Sequence, residues 1–162
     1  MDPGVCREHL TTLLREETAL LGELEELLQR ESVILESSDI QALEATTRAR
    51  QERVGALARI EEQRRSLCAL HGFSADRAGL EGLIAWCDAQ GTLLSRLREC
   101  AERAVRCRDL NDRNGIVVAG KLKRVEGMLG ALTGRPTRFD TYGPRGYGKP
   151  GGGRPGRVLG AA

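Results

Sequence analysis

LTTLLREETALLGELEELLQRESVIL, residues 10–35, decides the fold. Leu10, Leu14, Leu21, Leu24, Leu28 and Leu35 form a heptad-like stripe, and Leu13, Leu20, Leu27 and Ile34 recur every seven residues beside it. Apolar residues at this spacing share one face of a helix. Two adjacent stripes make a face wide enough for two neighbouring helices. Upstream, Asp2 is a good N-cap, and Pro3 suits the first helical position, where its missing N–H costs nothing. Glu17 and Glu31 fall on the seam. Buried unpaired carboxylates are rare, so both are expected at its edge, reaching water.

Downstream, Glu36-Ser37-Ser38-Asp39 breaks the pattern. Ser38 with Gln41 three residues on reads as a capping box. A second helix should run to about His71, with Gly72 just past its end. Its stripe is Ile40, Leu43, Thr47, Val54, Leu57, Ile60 and Leu67, and its highly charged middle reads as a solvated face. The short loop between two such long helices predicts an antiparallel hairpin. Residues 72–91 should hold a short helix capped by Ser74, with Leu80, Leu83, Ile84 and Trp86 facing inward. The last helix should span about Gly91 to Thr133, its seam beginning with Leu94, Leu97, Ala101 and Ala104. The fold class is all-α: an antiparallel long-helix hairpin, a short helix and a long C-terminal helix, in an elongated bundle or coiled coil.

The 162 residues fit one domain of ordinary size. With 3% aromatic and 30% charged residues, the composition suits amphipathic helices and offers little for a β-sandwich or a deep enzyme pocket. The net charge of +2 hides an asymmetry. From Arg135 onward, six basic residues against Asp140 leave +5, and residues 1–134 carry −3. We expect a helical bundle over 1–134 and a disordered Gly/Pro/Arg-rich tail over 135–162. Five cysteines, an odd number with no CxxC, argue against a disulfide framework and place the chain in a reducing cytosol. The N-terminus has no apolar run of the signal-peptide kind, and no stretch approaches the ~20 apolar residues of a membrane-spanning helix.

Catalytic chemistry finds no support. His9 and His71 are the only histidines, and no GxSxG, HExxH or P-loop occurs. A formal GxGxxG at Gly146, Gly148 and Gly151 follows no strand, opens no helix and contains a Pro, so it is no dinucleotide site. Cys100 and Cys107 share a helix face but lack the further ligands of a zinc site. They read as small buried or half-buried thiols. The tail sets Phe139, Tyr142 and Tyr147 among its cations, yet the acidic body would repel phosphate, so nucleic-acid binding is not expected. The expected protein is not an enzyme and needs no cofactor or metal.

The most informative stretch is NDRNGIVVAGKLKRVEGMLGALTG, residues 111–134. Val118, Leu122, Val125, Leu129 and Leu132 step by four and three into one stripe, widened by Ile116, Val117 and Met128. Gly115, Gly120, Gly127 and Gly130 weaken that helix by roughly 1 kcal/mol each relative to Ala. An apolar, weakly helical segment beside a loose end suggests a binding surface. Asn111 continues the seam of the last helix, where one Asn can fix register. The Asn114-Gly115 pair, a poor helix former, can let the helix bend.

The long hairpin, then Asn111, Asn114 and Gly115, then the stripe ending at Leu132 and Gly134, then Tyr142, Gly143 and Gly146, resembles the flagellar export chaperone family FlgN. The resemblance implies a cytosolic chaperone of flagellar type III secretion. It would bind the C-terminal segments of hook-associated (hook–filament junction) proteins, prevent their premature assembly and deliver them to the export gate. It also implies that Val118, Leu122, Val125, Leu129 and Leu132 touch cargo and that Tyr142 docks on the gate. Without cargo, an exposed stripe could pair two copies into a homodimer. The alternative is a coiled-coil structural adaptor with no export cargo, its stripe packed permanently.

Overall fold

A computed structural model of the chain describes residues 2–134. They form four helices: α1 (Pro3–Ser37), α2 (Ile40–Leu70), α3 (Arg77–Cys87) and α4 (Thr92–Thr133), with no strand among the described residues. The chain divides into two units, Met1–Arg124 and Val125–Ala162. The tail over 135–162, and Tyr142 within it, lie outside the described residues.

The local chemistry accounts for the helix ends. The Asp2 side chain accepts from Gly4 N at 2.9 Å, and Pro3 opens α1 as expected. Ser38 ends α1 in the left-handed region, φ 61°, and its N–H donates to Ile34 O. Asp39, not Ser38, caps α2, accepting from Ala42 N at 3.0 Å. The capping-box expectation fails because Ser38 is already committed to closing α1. Likewise Asp76, not Ser74, caps α3 by accepting from Gly79 N at 2.8 Å, while Ser74 Oγ donates to Asp76 Oδ1 at 2.6 Å. Gly79 is required there, since a Cβ would stand 1.8 Å from Ser74 O.

The core of the first unit lies where α3 closes one end of the hairpin, here called the base. Leu10, Leu14, Leu21, Leu24 and Leu28 of α1 meet Leu67 and Cys68 of α2, Leu80, Leu83 and Ile84 of α3, and Leu93, Leu97, Cys100 and Cys107 of α4. The α1 stripe predicted from its leucines is buried throughout. Two expectations fail here. Trp86 is 44% exposed, its ring resting on His71 with centroids 5.0 Å apart. The α3 cap sets a phase that turns Leu80, Leu83, Ile84 and Cys87 inward, and Trp86 falls off that face. On α4 the buried positions are Leu93, Leu97, Cys100, Cys107 and Asn114, with Leu94 and Ala101 at their flank and Ala104 exposed.

One register organises α1 against α4. Cys100 Sγ donates to Leu14 O (3.7 Å), Cys107 Sγ to Leu21 O (3.5 Å), Asn114 Nδ2 to Leu28 O (2.9 Å), and Lys121 Nζ to Leu35 O. Donor and acceptor both advance seven residues per rung, and the sequence separation stays at 86. The two helices are therefore parallel and in heptad register. α2 runs antiparallel to α1, as Arg64 with Glu17 (2.5 Å) and Arg53 with Glu23 (2.5 Å) record.

Candidate functional site

Beyond the base the bundle changes composition. In α2 no residue before Ile60 is buried. What holds this hairpin end, the tip, is a polar hub. Glu31 is only 5% exposed, where the sequence pattern predicts a carboxylate in water. At that depth its carboxylate oxygen is partnered. Asn114 Nδ2 donates to Glu31 Oε2 at 2.9 Å, and Arg50 Nη1 lies 3.6 Å from the same oxygen. Ser32 Oγ donates to Asn114 Oδ1 at 2.5 Å. A buried polar side chain needs such partners, and Asn114 has three. Glu17 is a milder case, half-buried with Arg64 beside it. Burial pushes its carboxyl above the usual range, against the pull of Arg64.

Asn111 is exposed and accepts from Arg50 Nη1 at 2.9 Å. The buried amide on the α1 seam is Asn114, three residues further on. α4 is helical through Asn111, Asn114 and Gly115 without interruption. A Cβ at Gly115, Gly120 or Gly127 would meet nothing within 4 Å, so no close approach explains these glycines. They leave the helix intrinsically weak where its apolar residues stand in solvent.

Those apolar residues are exposed along the whole stretch. Val118 and Leu122 belong to the first unit, with Ile116 and Val117 beside them. Val125, Leu129 and Leu132 belong to the second, with Met128, and Leu132 is 82% exposed. Large aliphatic side chains at this density are more than scattered surface residues. α1 ends at Ser37, so its carbonyl ladder has no rung beyond Lys121, whose ammonium also donates to Ser38 Oγ at 2.9 Å. Lys121 thereby satisfies α1 carbonyl and turn groups that a helix end leaves open.

Elsewhere the first unit offers little chemistry. A cleft of about 390 Å³ is lined by Glu17, Glu61, Arg64, Arg65, Leu97 and Cys100, among others. Arg64 pairs with Glu17, and Arg65 with Glu61 at 2.6 Å. The five cysteines are free, as their odd number and lack of a CxxC suggest, and all five are buried. Burial, with Cys87 and Cys68 nearby, pushes the Cys6 thiol up to about 11. Among the described residues no group of three His, Cys, Asp or Glu is placed to hold a metal ion. His9 is exposed and His71 half-buried. Among the described residues no helix is long and apolar enough to cross a membrane.

The sequence pattern did not point to the hub of Glu31, Arg50, Ser32 and Asn114. Its signal was the heptad series Cys100, Cys107, Asn114, Lys121, which grows more polar toward the tip. Compared with known families, residues 1–149 match the family model described as FlgN protein. No curated protein and no solved structure gives a match.

Proposed function

The chain belongs to the FlgN family, a family of flagellar export chaperones, and from that premise we propose which partners it binds and with which residues. Its cargo is a hook-associated protein, held through the C-terminal segment in the cytoplasm, kept from premature assembly and delivered to the export gate. Val118, Leu122, Val125, Leu129 and Leu132 receive the cargo. Their exposure in solvent carries this reading. An amphipathic segment laid on such a stripe buries large side chains at ~1.5–3 kcal/mol each before ordering costs. Glycines at 115, 120 and 127 make part of that energy go into ordering the helix, which moderates affinity and eases release. Binding and release of this kind need no nucleotide. Tyr142 docks on the gate. Asn114, with Asn111 and Gly115 around it, sets the register from which the stripe projects.

The test is co-purification with the C-terminal segment of a hook-associated protein. Replacing Leu122 and Leu129 together with Asp should abolish capture while circular dichroism stays helical. Capture that survives both changes means that the surface is misassigned. Replacing Tyr142 with Ala should leave cargo capture intact and impair export. In a structural adaptor the stripe would be permanent core, with amides 116–132 strongly protected from hydrogen exchange in the free protein. The exposure of its side chains argues against that alternative.

A further inference from the structure

Among the described residues Phe73 and Trp86 are the only Phe, Trp or Tyr, and both belong to one surface of the base. Phe73 lies in the turn between α2 and α3, and its ring covers Gly82, where a Cβ would stand 3.1 Å from Phe73 Cδ1. Gly82 and Trp86 are four residues apart and share a face of α3. The Trp86 ring in turn rests on His71, the residue that caps the end of α2, with centroids 5.0 Å apart. His71, Trp86, Gly82 and Phe73 thus form one patch, all within the first unit. Leu70, just before His71, is 64% exposed. The core accounts for part of Phe73, whose side chain also packs against the buried cluster. It does not account for Trp86, which is 44% exposed. Tryptophan is the residue type that most often anchors an interface.

The electrostatics of the patch select a cation. α2 ends at Leu70 with His71 as its cap, and α3 ends at Cys87, one residue past Trp86. Two helix C-termini therefore meet at the stacked pair. Such ends carry partial negative charge and open carbonyls, and neither last turn holds a basic residue to offset them. The charged side chains of α3 and its flanks are already matched. Arg77 pairs with Glu81 at 2.8 Å, Arg7 pairs with Asp88 at 3.3 Å, and Asp76 is engaged as the α3 cap. His71 Nε2 is buried without a hydrogen-bond partner, an unmet polar atom on the residue that Trp86 covers. It can accept an N–H when the imidazole proton is on Nδ1.

We propose that the base carries a second docking site, in which an arginine of a partner protein stacks on Trp86 and donates to the open carbonyls at the ends of α2 and α3, with the apolar neighbours of that arginine on Leu70 and Phe73. A planar guanidinium can stack on an indole face and donate in its own plane at once, which an ammonium cannot. The site uses no residue of the cargo stripe and does not rest on the chaperone reading.

The test titrates the full chain with a labelled short peptide that holds one arginine between two leucines, and with the same peptide carrying citrulline, which keeps the shape and loses the charge. Trp86 is the only tryptophan of the chain, so its emission reports the site directly. The arginine peptide should shift that emission saturably. By anisotropy of its label it should bind roughly fivefold tighter than the citrulline peptide. Trp86→Leu should bring the arginine peptide down to the citrulline level. That variant should fold as the parent does, because Trp86 stands outside the buried core. Replacing Leu122 and Leu129 together with Asp should leave the binding unchanged, and a loss there would place the peptide on the cargo stripe and overturn the proposal. Equal binding of the two peptides overturns the cationic class, and binding that Trp86→Leu does not diminish overturns the site. No binding of the arginine peptide at millimolar concentration overturns the proposal outright. A dimer of the free chain that Trp86→Leu dissolves would name a second copy as the occupant in its place.

Discussion

The seam between α1 and α4 is two different interfaces in one register. At the base, Cys100 and Cys107 make long thiol contacts to Leu14 O and Leu21 O, and a dense shell of leucines surrounds them. At the tip, Asn114 and Lys121 make amide and ammonium bonds to Leu28 O and Leu35 O, and α2 contributes no buried residue. Burial of apolar surface is strong but indifferent to small slips along a heptad pattern. Hydrogen bonds contribute little net free energy but are costly to leave unmade. The base therefore supplies most of the stability and the tip supplies register. Register matters here because it sets where Val118 and Leu122 of α4 stand relative to the end of α1.

The largest expected effect tests the base. Leu14 is fully buried in the core and also lends its carbonyl to the Cys100 rung. Leu14→Ala should cost ~2–5 kcal/mol in urea unfolding followed by circular dichroism, as large-to-small core changes do. A loss below 1 kcal/mol would mean that the base is loosely packed and that the contrast between the two ends is false.

The tip should respond less to loss of a side chain and more to loss of specificity. Glu31→Ala leaves Asn114 and Arg50 without their shared acceptor, at a cost of ~1–3 kcal/mol. Replacing Glu31 and Asn114 together with Leu removes the unsatisfied buried amide as well, and Arg50 keeps Asn111 as its acceptor, so stability should return toward the parent or exceed it. That double variant should lose its single register. Spin labels at exposed Val33 and Val117 should then report a second distance, from a slip of one heptad or roughly 10 Å along the axis. A single unchanged distance would show that the apolar pattern fixes register without the hub.

The two ends also differed in how far their sequence could be read. The α1 leucines gave the buried stripe at 10, 14, 21, 24, 28 and 35 because burial follows periodicity, which one helix displays alone. Pro3 and Gly72 marked helix ends because their backbone preferences are local. The caps at Asp39 and Asp76 were missed because two polar residues competed for each role, and the turn that precedes each helix decides between them. Hydrophobicity alone points Trp86 inward, and the phase of α3 turns it out. Glu31 was expected in solvent because its partners lie 19 and 83 residues away, on other helices. The apolar stripe of residues 118–132 was legible as a stripe. Periodicity alone leaves its covering open, because the same pattern serves a core and a docking face. Only the exposure of these side chains in the folded chain brings out the difference.

The smallest effect separates two kinds of buried carboxylate. Glu17 at the base has one charged partner, Arg64, whereas Glu31 at the tip has Arg50 and the Asn114 amide. Burial raises the Glu17 carboxyl above its ordinary 4.5 in spite of Arg64, so the folded chain holds its protonated form more readily than the unfolded chain does. The corresponding contribution to stability is present below pH 4.5 and is lost as pH rises through the folded value. Glu17→Gln imitates the protonated form at every pH. It should match the parent well below pH 4.5 and become the more stable of the two toward neutrality, as read from urea midpoints across that range. A variant that is instead weaker at neutral pH, with the deficit vanishing in acid, would mean that the Arg64 attraction exceeds the cost of burial. The base would then hold a stabilising ion pair like the tip, and the division between an apolar end and a polar end would narrow to the leucines alone.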